Sequence, residues 1–312
     1  SYIEQCIQSA INQTYENIEI IISNNGSNDN SQKVIQKFLK YDNIKLINYE
    51  DNNKIGVTSN NAFRKAKGKY ICFIAGDDYY LPEYVEKNLN TIVALPDDYG
   101  VVYSPTYVYN ELTDITYIED KVFNKSGYVF NEIFESQITG FIPAFTPFIK
   151  KEVFNIVSYD ESVFCEGEMI FIRMAEHFKF QYINYPLLVT TDHLNNQGKN
   201  YKENAQSFYD ESIKLIAQFP DKTQIINQVI GRMYLRNSWI ALRLMSDRKW
   251  MLSCLKLVFK HYPLLAFHWK FFRLVFFFPF SPKVIKSVLF FKNSIHSRNA
   301  TYIEKNYKNS AK

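Results

Sequence analysis

Two adjacent acids, Asp77 and Asp78, close the apolar run of YICFIAGDDY. Side-by-side carboxylates on a tight turn repel each other unless a cation or a helix terminus compensates them. Hard divalent ions such as Mg²⁺ and Mn²⁺ take one or two carboxylates plus phosphate oxygens. A helix cap is the competing role, because Leu81-Pro82 opens the next helical pattern; on these residues alone the two roles stand level. A second polar group, Asn24-Asn25-Gly26-Ser27, leaves another β-branched run. Each Asn offers a carbonyl acceptor and an amide donor, which suits the edge of a pyrimidine base, and the Gly-Ser pair can bring backbone N–H groups to a ligand. The same residues also make an ordinary turn, with Gly for positive φ and Ser or Asp as an N-cap.

The elements that carry these groups follow from hydrophobic periodicity. Ile3, Ile7, Ala10 and Ile11 recur at helical spacing, and IEIIIS from Ile18 reads as a strand. SQKVIQKFLKY is a helix, IKLINYE from Ile44 a strand, Thr58 to Ala66 a helix and YICFI a strand. This alternation with short links predicts a mainly parallel sheet flanked by helices, with ligands beyond the C-terminal ends of its strands. Both polar turns lie at such ends. LPEYVEKNLNTIVAL is a further helix, GVVYSPTYVYN a strand, and the stretch to about Pro147 is irregular. EGEMIFIRMAEHF predicts a helix over 166–178, followed by FQYIN, PLLVTTDH and the polar loop NNQGKN. From about Glu203 the pattern is helical only, which sets a boundary between residues 1–203 and 204–312.

The chain has 312 residues, 46% of them hydrophobic and 17% aromatic, enough for one large domain, or for one domain with an appendage. Its four cysteines show no CxxC spacing and fit a reducing, cytoplasmic compartment. The net charge of +4 conceals an asymmetry. Residues 248–292 hold nine Lys or Arg and no acid, and residues 293–312 add four cations against one acid, so residues 1–247 sum to 4 − 9 − 3 = −8. Ser1 already lies inside a helical pattern, so an upstream segment is expected.

CIQSAINQTYENIEIIISNNGSNDNS, followed by GVTSNNAFRKAKGKYICFIAGDDYYLPEYVEKNL, resembles the nucleotide-sugar half of family 2 glycosyltransferases with the GT-A fold. The likeness is dense over about residues 3 to 90 and resumes around 166 to 196, and AKGKYICFIAGDDYYLPEYVE is its most specific part. It implies a GT-A type, Rossmann-like α/β domain. Asn24 and Asn25 stand where the family's acidic pair reads the nucleobase, keeping an acceptor without the charge; Gly26, Ser27 and Asp29 match the rest of that turn. Asn60, in GVTSNNAF, joins the nucleotide-sugar-binding set. Asp77 matches the family's metal-ligating acid and Asp78 follows it, while Ala75 replaces the first acid of that motif. His193 matches a loop His near the diphosphate and metal. FCEGEMIFIRMAEHFKFQYINYPLLVTTDH resembles the segment that carries the general base, whose position falls by register on Gly167; Glu166 and Glu168 flank it. Either could serve as base, or both could be acids favoured in a helix's first turn.

The resemblance therefore implies an inverting transfer, dependent on Mn²⁺ or Mg²⁺, from a nucleotide-diphosphate sugar (a UDP-sugar favoured) to a saccharide or lipid-linked saccharide in bacterial surface polysaccharide synthesis. An inactive nucleotide- or carbohydrate-binding homologue and a membrane-associated scaffold are the alternatives. Family members open with an apolar strand that is absent before Ser1, so the expectation is a truncated sequence or an impaired protein. Residues 248–292 interleave thirteen aromatics with their nine cations. The longest uncharged run there, Leu274 to Pro282, is far below the ~20 apolar residues that span a bilayer. This pattern suits a segment lying on the inner face of the cell membrane, or a packed helical subdomain with cations reaching outward. The acidic body argues against nucleic acid.

Overall fold

The structure is a computed structural model that describes residues 1–119, 122–139, 142–143, 145–164, 166–167, 169–280 and 284, the side chains of 135–139 excepted. Glu168, Cys165 and the part of the basic segment beyond Phe280, apart from Val284, lie outside the described residues. The chain divides into two compact units, with the division along the sequence between Asn196 and Gln197.

In the first unit, α1 (Tyr2–Ile11) leads to β1 (Ile20–Asn25), α2 (Ser31–Gln36) and β2 (Ile44–Tyr49). β1 and β2 pair in parallel, Ile20 opposite Ile44 and Asn25 opposite Tyr49. Ile7, Ile22, Ile35, Phe38 and Ile44 interlock beneath them, because helical and strand spacing turn their apolar residues to one side. α3 (Ile55–Lys65) starts three residues earlier than its periodicity suggests, after an extended Lys54. β3 (Tyr70–Cys72) and β4 (Tyr79–Tyr80) then flank the AGDD turn, followed by α4 (Tyr84–Val93).

The expected single strand GVVYSPTYVYN is two: β5 (Tyr99–Tyr103) and β6 (Tyr107–Asn110). Pro105 lies between them, and a proline offers no N–H to continue a ladder, so the chain changes sheets there. β7 (Ile115–Ile118), α5 (Phe130–Thr139), β8 (Phe148–Lys150), α6 (Met169–His177), β9 (Lys179–Tyr182) and β10 (Leu188–Asp192) complete the unit. Two four-stranded sheets result, ordered β3-β8-β5-β9 and β4-β10-β6-β7. Their pairing is more mixed than the simple strand–helix alternation implies. β8, out of the stretch read as irregular, inserts antiparallel between β3 and β5, while β5/β9 and β6/β10 are parallel. Tyr80, Tyr84, Ile92, Val102, Phe148 and Leu188 form a core that joins α4 to the strands.

One pairing matters most for chemistry. β4 runs antiparallel to β10, Tyr80 opposite Leu188 and Tyr79 opposite Val189. Continued past Tyr79, that register carries Asp78 and Asp77 alongside the end of β10 and the loop that follows.

The second unit is helical: α7 (Tyr201–Gln218), α8 (Thr223–Ile240) with a π-helical continuation (Ala241–Met245), α9 (Arg248–His261) and α10 (Trp269–Phe277). Ala241, Leu242, Met251 and Leu274 form its core with Trp239, Trp250 and Phe277 against them. No helix among the described residues is long and apolar enough to cross a membrane.

Candidate functional site

Asp77 Oδ2 lies 2.9 Å from His193 Nε2 and accepts a 3.1 Å hydrogen bond from Asn196 Nδ2. Residues 116 and 119 apart in sequence meet because the β4/β10 ladder delivers one from each side. The Asn195 N–H donates to His193 Nδ1 at 3.2 Å, so Nδ1 carries a lone pair and the ring proton sits on Nε2, directed at Asp77. Asn196 closes the loop, accepting from the His193 N–H at 2.7 Å and donating to the Thr191 carbonyl at 2.9 Å. The Tyr2 ring stacks on His193 with centroids 4.8 Å apart, and its hydroxyl donates to Glu111 Oε1 at 2.5 Å. Asp77 keeps about a quarter of its side chain in solvent, so a ligand can reach it.

Asp78 behaves differently. Its Oδ1 accepts the Thr191 N–H at 2.8 Å, and burial, opposed by that bond, pushes its carboxyl up to about 7. It pins β10 to the turn. Neither acid caps α4, whose N-cap is Glu83, so the capping alternative fails. Ala75 and Gly76 sit under α1: the Cys6 thiol donates to the Ala75 carbonyl at 3.4 Å, and a Cβ at Gly76 would lie 3.2 Å from Ile3 Cδ1.

The NNGS turn is built against residues 48–53. Asn24 Nδ2 donates to Asn48 Oδ1 at 2.6 Å, and its Oδ1 accepts from the Ser27 N–H at 3.4 Å. Asn25 donates to Asn52 Oδ1 and to the Asn53 carbonyl and accepts from the Asn53 N–H. Both carboxamides thus shape the turn rather than project from it. Ser31 holds the Asp29 carboxyl below the usual range through its hydroxyl and its N–H. Gly26 has φ +69°, and a Cβ there would lie 2.6 Å from the Asp51 carbonyl carbon. Gly26→Ala must therefore strain a left-handed residue and push backbone aside. A loss of about 3 kcal/mol in urea unfolding is expected.

A third group forms around residues 158–162. Asn60 donates to the Tyr159 carbonyl and to Glu161 Oε1, both at 2.9 Å, and accepts from the Tyr159 N–H at 3.0 Å. Its amide is occupied in holding that segment. Glu166 accepts the Asp160 N–H at 2.8 Å and pairs with Arg173 at 2.6 Å, Arg173 also donating to the Ser158 carbonyl. Burial raises the Glu166 carboxyl above its ordinary value, with Arg173 opposing. The first-turn reading of Glu166 does not hold, since α6 begins at Met169. Gly167, at φ +60° with open space where a Cβ would stand, turns the chain between them. Lys54 Nζ reaches the Ser162 carbonyl at 2.6 Å, and a Cβ at Gly56 would touch Asp160, so the 48–53 segment and the 158–162 segment share one wall through the start of α3.

The structure thus unites Asp77 with His193, with Asp78 behind them, joins Asn24, Asn25 and Gly26 to residues 48–53, and gathers Asn60 and Glu166 on 158–162. Asn196 and Tyr2 are the residues that reading the sequence missed. DHLNN, with Asn196 three residues after His193, held the one available signal.

Among the described residues no three His, Cys, Asp or Glu gather as a metal centre. Two protein ligands with diphosphate oxygens and water are the ordinary supply for Mg²⁺ or Mn²⁺, and adjacent ligands of an octahedral ion at about 2.1 Å lie about 3 Å apart. The 2.9 Å between Asp77 Oδ2 and His193 Nε2 fits that spacing. Ligation by Nε2 requires its proton to move to Nδ1, giving up the Asn195 contact.

The family model described as Glycosyl transferase family 2 matches residues 1–156, half of the chain. EpsH of Bacillus subtilis is 40% identical over 91 residues, 29% of this chain and 26% of that one. Glycosyltransferase GlyG of Streptococcus pneumoniae is 29% identical over 168 residues, 51% of this chain and 55% of that one. The chain therefore spans little more than half of GlyG and about a quarter of EpsH. The crystal structure of S. aureus TarS 1–349 in complex with UDP-GlcNAc superposes with a TM-score of 0.61 over 81% of this chain and 75% of that one, at 14% identity, a likeness of fold. The AGDD turn and its flanking elements lie inside the matched span, and the chain belongs to glycosyl transferase family 2.

Proposed function

We propose that the protein transfers a sugar from a UDP-linked donor, with Mn²⁺ or Mg²⁺, to a saccharide or lipid-linked saccharide in bacterial surface polysaccharide synthesis. The observation that carries this reading is the Asp77–His193–Asn196 cluster at the end of β10. The TarS neighbours hold UDP-GlcNAc and UDP, which favours uridine for the donor. Asp77 and His193 would hold the ion; when bound, it supplies Lewis-acid neutralisation of the departing diphosphate. Tyr2, stacked on the imidazole, and Asn196, which accepts from the His193 backbone N–H and donates to the Asp77 carboxylate, keep that ring in place. The NNGS turn presents the base-binding edge, its shape set by the 48–53 segment.

In an inverting displacement a carboxylate takes the acceptor's proton as its oxygen attacks. Glu168 is our assignment for this base: it flanks Gly167, whereas Glu166 is tied to Arg173 and Asp160 and is the positioning residue. The membrane-surface role belongs to the helical unit.

A second reading, a nucleotide-binding homologue without transfer, draws on Ala75, Gly167 and the engaged amides of Asn24 and Asn25. A panel of nucleotide sugars with Mn²⁺, scored for nucleotide release and transfer, separates the two. UDP-sugars are expected to release UDP fastest. Tight UDP binding with neither hydrolysis nor transfer for any donor would leave only the second reading.

A further inference from the structure

The helical unit concentrates positive charge that the transfer reading does not use. Between Thr223 and Phe280 stand nine Lys or Arg and a single acid, Asp247. That acid is committed elsewhere: it accepts the Trp250 N–H at the start of α9 and pairs with Lys202 at 2.8 Å. Arg232, Arg236, Trp239 and Arg243 follow one another by four, three and four residues, so they line one face of α8 and its π-helical continuation. α10 adds to the same face. The Arg273 guanidinium stands 4.1 Å over the Trp239 ring and 5.2 Å from the Trp269 ring, a cation–π bracket.

These cations press on one another. Burial and the charge of Arg243 hold Arg273 below its usual value, and burial, Lys270 and Arg232 lower His268. Guanidiniums gathered on one face are stabilised by an anion, and phosphate oxygens suit the fork geometry of their outer N–H groups.

Beside them lies an apolar stripe. Trp269, Phe272 and Phe276 on the outer side of α10 are 57%, 58% and 65% exposed, and Phe267 just before it is 80% exposed. A free phosphate or a nucleic acid would engage the guanidiniums and leave this stripe in water. A bilayer covers both. We propose that Arg232, Arg236, Arg243 and Arg273 bind the headgroup phosphates of an anionic phospholipid bilayer while Trp269, Phe272 and Phe276 insert at its surface. Stripe and cations together make the two-part signal that surface attachment requires, hydrophobic insertion with electrostatic attraction.

The inference rests on the membrane-surface part of the proposed function and assigns it to residues. Flotation of the full chain with vesicles tests it, with UDP binding measured in parallel. Binding is expected to vesicles rich in phosphatidylglycerol, to weaken as salt is raised, and to be far weaker to phosphatidylcholine alone. Arg236→Gln should weaken it about fivefold, and Arg236→Gln with Arg243→Gln about 25-fold. Phe272→Ser with Phe276→Ser, both at exposed positions, should weaken it at least about tenfold with the unfolding midpoint kept. UDP binding should not change in any of them. Equal affinity for both vesicle types, indifference to the Arg and Phe changes, full displacement by inorganic diphosphate, or tighter binding to single-stranded RNA would each overturn it. A wild-type chain that binds the vesicles but not UDP would count against the transfer reading alone.

Discussion

Asp77→Asn is expected to abolish the Mn²⁺ dependence of UDP binding and to lower donor turnover about 10³-fold, with little change in the unfolding midpoint. The size follows from the proposed role. Neutralising a departing diphosphate contributes several kcal/mol to the transition state, and about 4 kcal/mol is 10³ in rate. Asn is nearly isosteric with Asp, so its carbonyl oxygen still accepts from His193 Nε2, and what disappears is the charge. Asn196 loses a charged acceptor but keeps the Thr191 carbonyl, so the fold should lose no more than about 1 kcal/mol. Isothermal titration of UDP with and without Mn²⁺, on wild type and variant, reads the effect directly. A variant that still binds UDP in a Mn²⁺-dependent way would move the metal off Asp77. Asp78→Asn is the contrasting control: its carboxylate holds Thr191 from a buried position, so its loss should appear in stability before metal affinity.

Legibility in the sequence tracked the range of the interactions involved. α1, β1, β2 and α4 could be read because each has an apolar period of its own, which burial enforces. Break points were harder: Pro105 ends β5 by denying it an N–H, yet a β-rich run on either side looks continuous from the letters alone. β8 was invisible because three residues make a strand only when β3 and β5 offer edges on both sides. The candidate site divides likewise. Asp77 and His193 were named from their motifs, but their 2.9 Å approach is a product of the β4/β10 ladder, a pairing between residues more than a hundred positions apart. Tyr2 lacked any local pattern and Asn196 had only its place three residues after His193, since their role is to hold the His193 loop and ring. Asn60 and Glu166 carried motif identities, and the structure shows their polar atoms anchoring the 158–162 segment.

That anchoring separates the two glutamates beside Gly167. Glu168→Gln is expected to lower transfer by about 10² to 10⁴, the span of a lost general base, with the melting temperature and UDP affinity unchanged. Glu166→Ala should instead cost about 3 kcal/mol of stability, because it removes the buried carboxylate that ties Arg173 to the Asp160 N–H. Adding Arg173→Met to Glu166→Ala should recover part of that loss, as removing both members of a buried pair is milder than removing one. Acidity gives a further check. Burial raises the folded carboxyl of Glu166 above its unfolded value of about 4.3, so its stabilisation is complete below that pH and is lost as pH climbs through the raised value. Glu166→Gln, neutral throughout, should therefore trail wild type most at low pH and close the gap as pH rises. A gap that widens with pH would mean that the Arg173 pairing, rather than burial, dominates this carboxyl. A collapse of transfer in Glu166→Gln with stability untouched would return the base to Glu166 and leave Glu168 without a role in the reaction.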